Sequence, residues 1–244
     1  MPKFIIEHES FDGTHVHLAG ETAHHIVNVL RYKVGDEVLF SDGNNTDYVT
    51  RLTYHDKSKR SVSFEILAKI KCLTEPFIYV RLFLSAIKWE SFDFAVQKAV
   101  EVGVSEIVPI VTDRTIYKKK DIIKKTERFC RIAKSAAEQS MRGIVPKVAE
   151  PKILSEALRD KETISFLACC KEKESLVSVA SKYRFSKTDI WIGPEGGFTN
   201  KEIERLIAKK VIPFSLGPRI LRAETASTVA IASLLLQKKG EQFD

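Results

Sequence analysis

The chain is expected to fold as an α/β protein with a largely parallel sheet, preceded by a small domain of short β-strands. Three features predict this. The rhythm changes near Leu73-Thr74-Glu75-Pro76, from short extended runs divided by turns to strands and helices in alternation. Two short apolar runs each stop at a loop bearing Gly and Pro: Gly193-Pro194-Glu195-Gly196-Gly197-Phe198, and Leu216-Gly217-Pro218-Arg219. Loops of that kind at strand ends are where open parallel sheets hold ligands. Charge divides at the same place, with nine Lys/Arg against ten Asp/Glu up to Leu73 and 30 against 22 beyond it.

Residues 1 to 72 read as mostly β. Phe4-Ile5-Ile6, Val16-His17-Leu18, Glu37-Val38-Leu39-Phe40, Tyr48-Val49-Thr50 and the alternating Ser61-Val62-Ser63-Phe64-Glu65-Ile66 are extended runs. Ser41-Asp42-Gly43-Asn44 is a turn signal, and Lys57-Ser58-Lys59-Arg60 separates the last two runs. One helix is expected from Thr22 to Leu30, with Ile26, Val29 and Leu30 on one face. Short strands at this spacing suggest a small barrel. Six histidines fall within the first 55 residues, but no Cys cluster or His-Glu-x-x-His accompanies them. His24 and His25 would point about 100° apart on a helix, so no metal is expected. Arg31 lies at the end of that helix.

From residue 73 onward, strands are expected at Ile78–Ile87, Glu106–Val111, Thr163–Cys169, Asp189–Ile192 and Ile212–Leu216. Helices are expected at Ser91–Val102, closed by Gly103, then Asp121–Ser140, Glu174–Ser181, a run opened by the capping box Thr199-Asn200-Lys201-Glu202, and Glu224–Lys239. The last is apolar around most of its circumference (Val229, Ala230, Ile231, Ala232, Leu234, Leu235, Leu236). Packing on both sides within one subunit and packing against a second copy explain this equally well.

At 44% hydrophobic and 29% charged, the 244 residues describe an ordinary globular protein. No apolar run approaches 18 residues, Met1-Pro2-Lys3-Phe4 lacks the apolar core of a signal peptide, and none of the four cysteines forms Cys-x-x-Cys. Reduced, mostly buried thiols, no membrane association and a cytoplasmic location are therefore expected. No Gly-x-Gly and no Gly-Lys-Ser/Thr occurs, which argues against a dinucleotide or nucleoside triphosphate held by the usual phosphate loops. From Arg114 to Lys134 nine basic residues, Lys119, Lys124 and Arg128 among them, face only Asp121 and Glu127. That sign is too lopsided for helix ion pairing and suits a phosphate track. Lys98 and Glu101 read as a plain surface pair.

The two glycine loops, Gly193-Pro194-Glu195-Gly196-Gly197-Phe198-Thr199 and Leu216-Gly217-x-Arg219-Ile220-Leu221-Arg222-x-Glu224-Thr225-Ala226, resemble those of bacterial 16S ribosomal RNA uridine-N3 methyltransferases of the SPOUT superfamily. The resemblance extends to His25-Ile26-x-x-Val29-Leu30-Arg31, Gln97-Lys98-Ala99-x-Glu101-x-Gly103-Val104, Pro109 and Glu138-Gln139-Ser140-x-Arg142-x-x-Val145-Pro146, and so covers nearly the whole chain.

It implies a PUA-like RNA-binding β-barrel over 1–72 and a SPOUT domain over 73–244, with a parallel sheet and a C-terminal trefoil knot. It implies S-adenosylmethionine as methyl donor, held by Leu167, Gly193, Pro194, Gly196, Gly197, Leu216, Gly217, Ile220, Leu221, Arg222, Thr225 and Ala226. The implied target is N3 of a uridine in 16S rRNA of the small ribosomal subunit, and the implied assembly is a homodimer through the last helix. RNA contacts are expected from Arg31, Lys119, Lys124, Arg128, Glu138, Gln139, Arg142 and Arg219. Glu195 and Arg142 are the expected catalytic residues, although Glu195 serves as well to cap backbone amides of its own loop.

Overall fold

The structure is a computed structural model that describes residues 2–56, 58–159 and 163–240. The chain divides into two compact units, one comprising Met1–Glu75 and Ala137–Val145, the other Pro76–Ala136 and Pro146–Asp244. The first unit thus takes in a segment that lies far beyond the change of rhythm near residue 73.

In the first unit, β1 (Lys3–Ile5), β2 (His15–Ala19), β3 (Glu37–Ser41), β4 (Thr46–Asp56) and β5 (Ser61–Lys71) form one sheet in the order β1-β3-β4-β5-β2. All pairs are antiparallel except β1–β3. The alternating residues Val16, Leu18, Val38, Phe40, Leu52, Val62 and Phe64 point to one core, as period-two patterning requires. Register shifts at Val49/Thr50 and Leu52/Tyr54 bend the long β4–β5 ladder. Among the described residues no ladder joins β1 to β2, so the sheet is not closed into a ring by hydrogen bonds.

The early helix starts earlier and is less regular than its sequence suggests. It starts as α1 (Gly20–His24) and continues as a π turn, His25–Val29, in which the Leu30 N–H reaches back to the His25 carbonyl. The wider turn rotates the following residues off the apolar face. Ile26 is fully buried, whereas Val29 and Leu30 are 56% and 41% exposed. Arg31 follows at φ +62°, exposed and in the left-handed region.

Residues 137–145 are tied into this unit by polar groups. The Glu138 carboxylate accepts the Ile5 N–H at 3.0 Å, and the Gly143 carbonyl accepts the Asn45 N–H at 3.1 Å. Buried Lys3 pairs with Asp47 at 2.7 Å and donates to the Met141 carbonyl. Arg142, 3% exposed, pairs with Glu75 at 2.7 Å, and Glu75 also accepts the N–H groups of Gly143 and Ile144.

The second unit alternates as expected. Its elements are β6 (Tyr79–Ser85), α2 (Trp89–Val102), β7 (Glu106–Val111), α3 (Lys119–Ile123), α4 (Thr126–Gln139), β8 (Lys147–Val148), β9 (Lys152–Ile153), α5 (Leu154–Ala157), β10 (Ile164–Ala168), α6 (Leu176–Ser181), β11 (Lys187–Ile192), α7 (Asn200–Ala208), β12 (Val211–Phe214) and α8 (Ala223–Gly240). The sheet is parallel throughout, in the order β12-β10-β11-β6-β7-β8, with β9 also on β7. β11 inserts between β10 and β6, so strand order reverses there. Trp191 and Phe83 stack across β11 and β6 at 3.9 Å, at the centre of a core that includes Val108, Ile110, Leu167 and Leu206.

Two helix ends match their sequence signals. Gly103 closes α2 at φ +111°, and Thr199 and Glu202 cap α7 reciprocally, at 3.3 and 2.8 Å. The run expected as one helix over Asp121–Ser140 is broken. The Lys125 N–H bonds to the Ile122 carbonyl at 2.8 Å, and the Thr126 hydroxyl donates to that same carbonyl. With this acceptor taken by a tight turn, the ladder stops and restarts as α4. The cysteines are free thiols, but only Cys72 is buried; Cys130 and Cys170 are exposed and Cys169 is intermediate. No helix among the described residues is long and apolar enough to cross a membrane.

Candidate functional site

A cavity of about 510 Å³ opens at the carboxyl ends of β6, β11, β10 and β12, where chain order reverses in the sheet. Both glycine loops line it. In the first, the Gly197 N–H bonds to the Pro194 carbonyl at 2.7 Å, with Gly197 at φ +69° and open space where a side chain would stand. Gly193 answers a different need. A Cβ there would lie 3.0 Å from the Phe198 ring and N–H nitrogen, so only glycine lets Phe198 fold back beneath the loop. In the second loop the Gly217 N–H donates to Ser215 Oγ at 3.1 Å, and Gly217 sits at φ +100°. The Ser215 N–H donates to the Glu174 carbonyl, fixing the base of that loop beside the loop that follows β10.

Gly193, Pro194, Gly197, Leu216, Gly217, Ile220, Leu221, Arg222 and Ala226 all line the cavity, as do Glu195 and Arg219. Leu167, Gly196 and Thr225 are not on its wall. Leu167 is fully buried in the core with Trp191, Gly196 backs onto Arg114, and Thr225 is exposed on α8. Sequence reasoning missed Lys88, Ser91, Ala168, Cys169 and Cys170; Ile192, Phe198, Ala223 and Glu224 lie within the glycine-loop stretches it marked but were assigned no cofactor contact. Lys88, Ser91, Cys169 and Cys170 follow β6 and β10 without glycine punctuation. Their position just past strand ends was the signal that could have found them.

Glu195 is exposed, and its Oε1 accepts the Lys88 N–H at 3.2 Å, a bond across loops rather than a cap of its own. Its other oxygen has no hydrogen bond among the described residues. The Arg114 guanidinium donates to the Gly196 carbonyl, and Glu202 accepts the Asp113 N–H at 2.8 Å, so the loop after β7 braces the first glycine loop.

The basic segment is only partly available to a ligand. Lys119 pairs with Glu156 at 2.7 Å, and its hydrogen bond holds the Glu156 carboxyl below its ordinary range. Arg128 donates to Asp93 at 3.0 Å. Lys118, Lys120, Lys124, Arg131 and Lys134 are exposed and have no ion-pair partner among the described residues. The Lys98–Glu101 pair forms at 2.8 Å on α2. In the first unit, Glu138 and Arg142 are committed to the ties described above, while Gln139 is exposed at the end of α4. No group of three metal-ligating side chains is present among the described residues.

A parallel sheet whose reversal point encloses a cavity of this size defines an α/β protein that holds a small molecule at its strand ends. The particular family follows from comparison. An RNA methyltransferase domain model matches residues 74–235 and an RNA methyltransferase PUA domain model matches 18–67, and the chain belongs to that family. It is 32% identical over 236 residues to ribosomal RNA small subunit methyltransferase E of Buchnera aphidicola subsp. Acyrthosiphon pisum (96% of this chain, 92% of that one). Its identity to the Bacillus subtilis protein of the same name is 33%, covering 92% of each chain. Among solved structures it is similar to ribosomal RNA small subunit methyltransferase E from Neisseria gonorrhoeae bound to S-adenosyl methionine. That match has a TM-score of 0.86 and 29% identity, covering 96% of each chain.

Proposed function

We propose that this chain transfers a methyl group from S-adenosylmethionine to N3 of a uridine in 16S rRNA of the small ribosomal subunit. The observation that carries this reading is the cavity enclosed by both glycine loops. Its volume of about 510 Å³ suits a small cofactor. Ile192, Leu216, Ile220 and Leu221 give it apolar walls, and the backbone around Gly197 and Gly217 can be approached closely. The names of the relatives and the S-adenosyl methionine in the Neisseria structure support the same donor and substrate class.

S-adenosylmethionine, when bound, supplies an electrophilic methyl group. The chain must hold the base in line with it and deal with the N3 proton. Glu195 is the proposed base, steadied through Oε1 by the Lys88 amide and accepting the proton on Oε2. Arg219 and Arg222, on the cavity wall, offset charge developing on a uracil carbonyl. Arg142 acts at a distance in this reading. Its pair with Glu75 holds the segment that carries Gln139 and Ser140. Residues 1–72 are read as the RNA-binding barrel, with Arg31 presented by its π turn, and 73–244 as the methyltransferase domain.

The same reading includes a trefoil knot through the 215–222 loop, consistent with β11 lying between β10 and β6. It also includes a cytoplasmic homodimer. Val229 and Leu236, seven residues apart on α8, are 37% and 72% exposed, which suits a two-fold contact. The test incubates the full chain with radiolabelled S-adenosylmethionine and small subunits lacking the modification, then maps the label. One labelled uridine, resistant to base pairing at N3, is expected. Label elsewhere, or none, sinks the proposal.

A further inference from the structure

An aromatic column in the second unit ends at the surface beside the cofactor cavity. Phe92 and Phe129, both fully buried, stand 4.6 Å apart, and Trp89 lies 6.2 Å from Phe129. Tyr117 then stacks on Trp89 at 3.8 Å with an interplanar angle of 24°. The inner pair is ordinary core. Trp89 and Tyr117 are each half-buried, and neighbouring Ile116 is 69% exposed. Lys88 and Ser91, on either side of Trp89 in sequence, line the cavity wall, so the column is anchored at its rim. The charges around it are mostly positive. Lys88, Lys118, Lys120 and Lys124 are exposed nearby in sequence, as is Arg114, whose guanidinium is engaged by the Gly196 carbonyl. Against them stand exposed Glu90, Asp113 and Glu127, Asp93, which pairs with Arg128, and Asp121, which is engaged by the Lys118 N–H.

We propose that Trp89 and Tyr117 form a stacking platform for an unpaired RNA base next to the methylated nucleotide, with the flanking cations holding its phosphates. This rests on the RNA-methyltransferase reading above and adds a subsite to it. A planar π face lets any base stack, whereas a polyanionic strand is what the lysines call for, and single-stranded RNA offers both. A small aromatic ligand would have no use for the lysines. The platform thus fixes where a strand enters the site, and backbone contacts alone would leave its register loose.

Fluorescence tests this directly, because the chain has two tryptophans and Trp191 is fully buried against Phe83. An unmodified 16S rRNA transcript, added to the full chain with S-adenosylhomocysteine present, is expected to quench the Trp89 emission. The quench should vanish in Trp89→Phe, which still binds RNA. Tyr117→Ala is expected to weaken RNA binding ~5- to 100-fold and raise KM for RNA with little change in kcat. The cofactor affinity, which also reports folding, and the salt slope should stay put, and Tyr117→Phe should behave as wild type. Unchanged RNA affinity in Tyr117→Ala together with no quench overturns the platform and leaves methyl transfer standing. A wild type that transfers no methyl group to RNA defeats the underlying reading instead.

Discussion

At the scale of single residues, the glycine loops separate two reasons for having no side chain. Gly197 needs its positive φ and faces open space, so its Cβ would enter the cavity rather than the protein. Gly197→Val is therefore expected to abolish S-adenosylhomocysteine binding in calorimetry while ATP and NAD remain non-binders. Gly193→Ala pushes on Phe198 instead and should cost both binding and about 1–3 kcal/mol of stability. Tyr79 gives a pH prediction at the other end of the strands. Burial, and then the Glu106 carboxylate 3.0 Å away, push its phenol up to about 12. Folding thus favours the neutral phenol. That contribution is complete below the unfolded value of about 10 and is lost as pH climbs through about 12. In alkaline denaturation curves Tyr79→Phe should lack this loss between those limits.

At the scale of elements, the basic run looks uniform in sequence and is not so in the fold. Lys119 and Arg128 answer to Glu156 and Asp93, whereas Lys124 has no such partner. Replacing Lys124 with Gln should lower the salt slope of RNA binding by about 0.7–0.9, the value for one lost phosphate contact. Lys119→Gln should lower it less, because an internal pair is broken at the same time. An equal drop for both would mean that RNA displaces Glu156. The broken helix and the π turn have a common origin. Each is set by one carbonyl taking an irregular donor, at Ile122 and at His25, and side-chain periodicity carries no signal of that.

At the scale of the molecule, α8 carries packing within the second unit, and the proposed assembly runs through it. Ala226, Ser227, Ala230, Ile231 and Leu234 face inward, and the helix packs on α2 and α6. Leu235 is also used internally. Its Cδ1 would lie 2.9 Å from a Cβ at Gly103, so a charge there would damage the subunit as well as any dimer. Leu236, 72% exposed, is the cleaner probe. Light scattering should report a dimer for the wild type and a monomer for Leu236→Glu, with the thermal transition little changed. A Leu236→Glu chain that stays dimeric would move the contact elsewhere.

Much of this was legible in the chain itself. Alternation gave the parallel sheet, the change near Leu73 marked a new kind of unit, and Gly-Pro loops after apolar runs marked the cavity, because these are local consequences of backbone sterics and period. The Thr199–Glu202 box and the Gly103 cap were readable for the same reason. Tertiary structure alone decided what distant segments do to one another. It drew residues 137–145 into the first unit and gave Arg142 to Glu75, although nothing near either residue announces the other. It brought Lys88, Cys169 and Cys170 to the cavity wall and left Leu167 beneath it and Thr225 outside. Local pattern determines which elements form. The order of strands in a sheet, and the burial that follows from it, determines which side chains meet, and that order depends on packing over the whole chain.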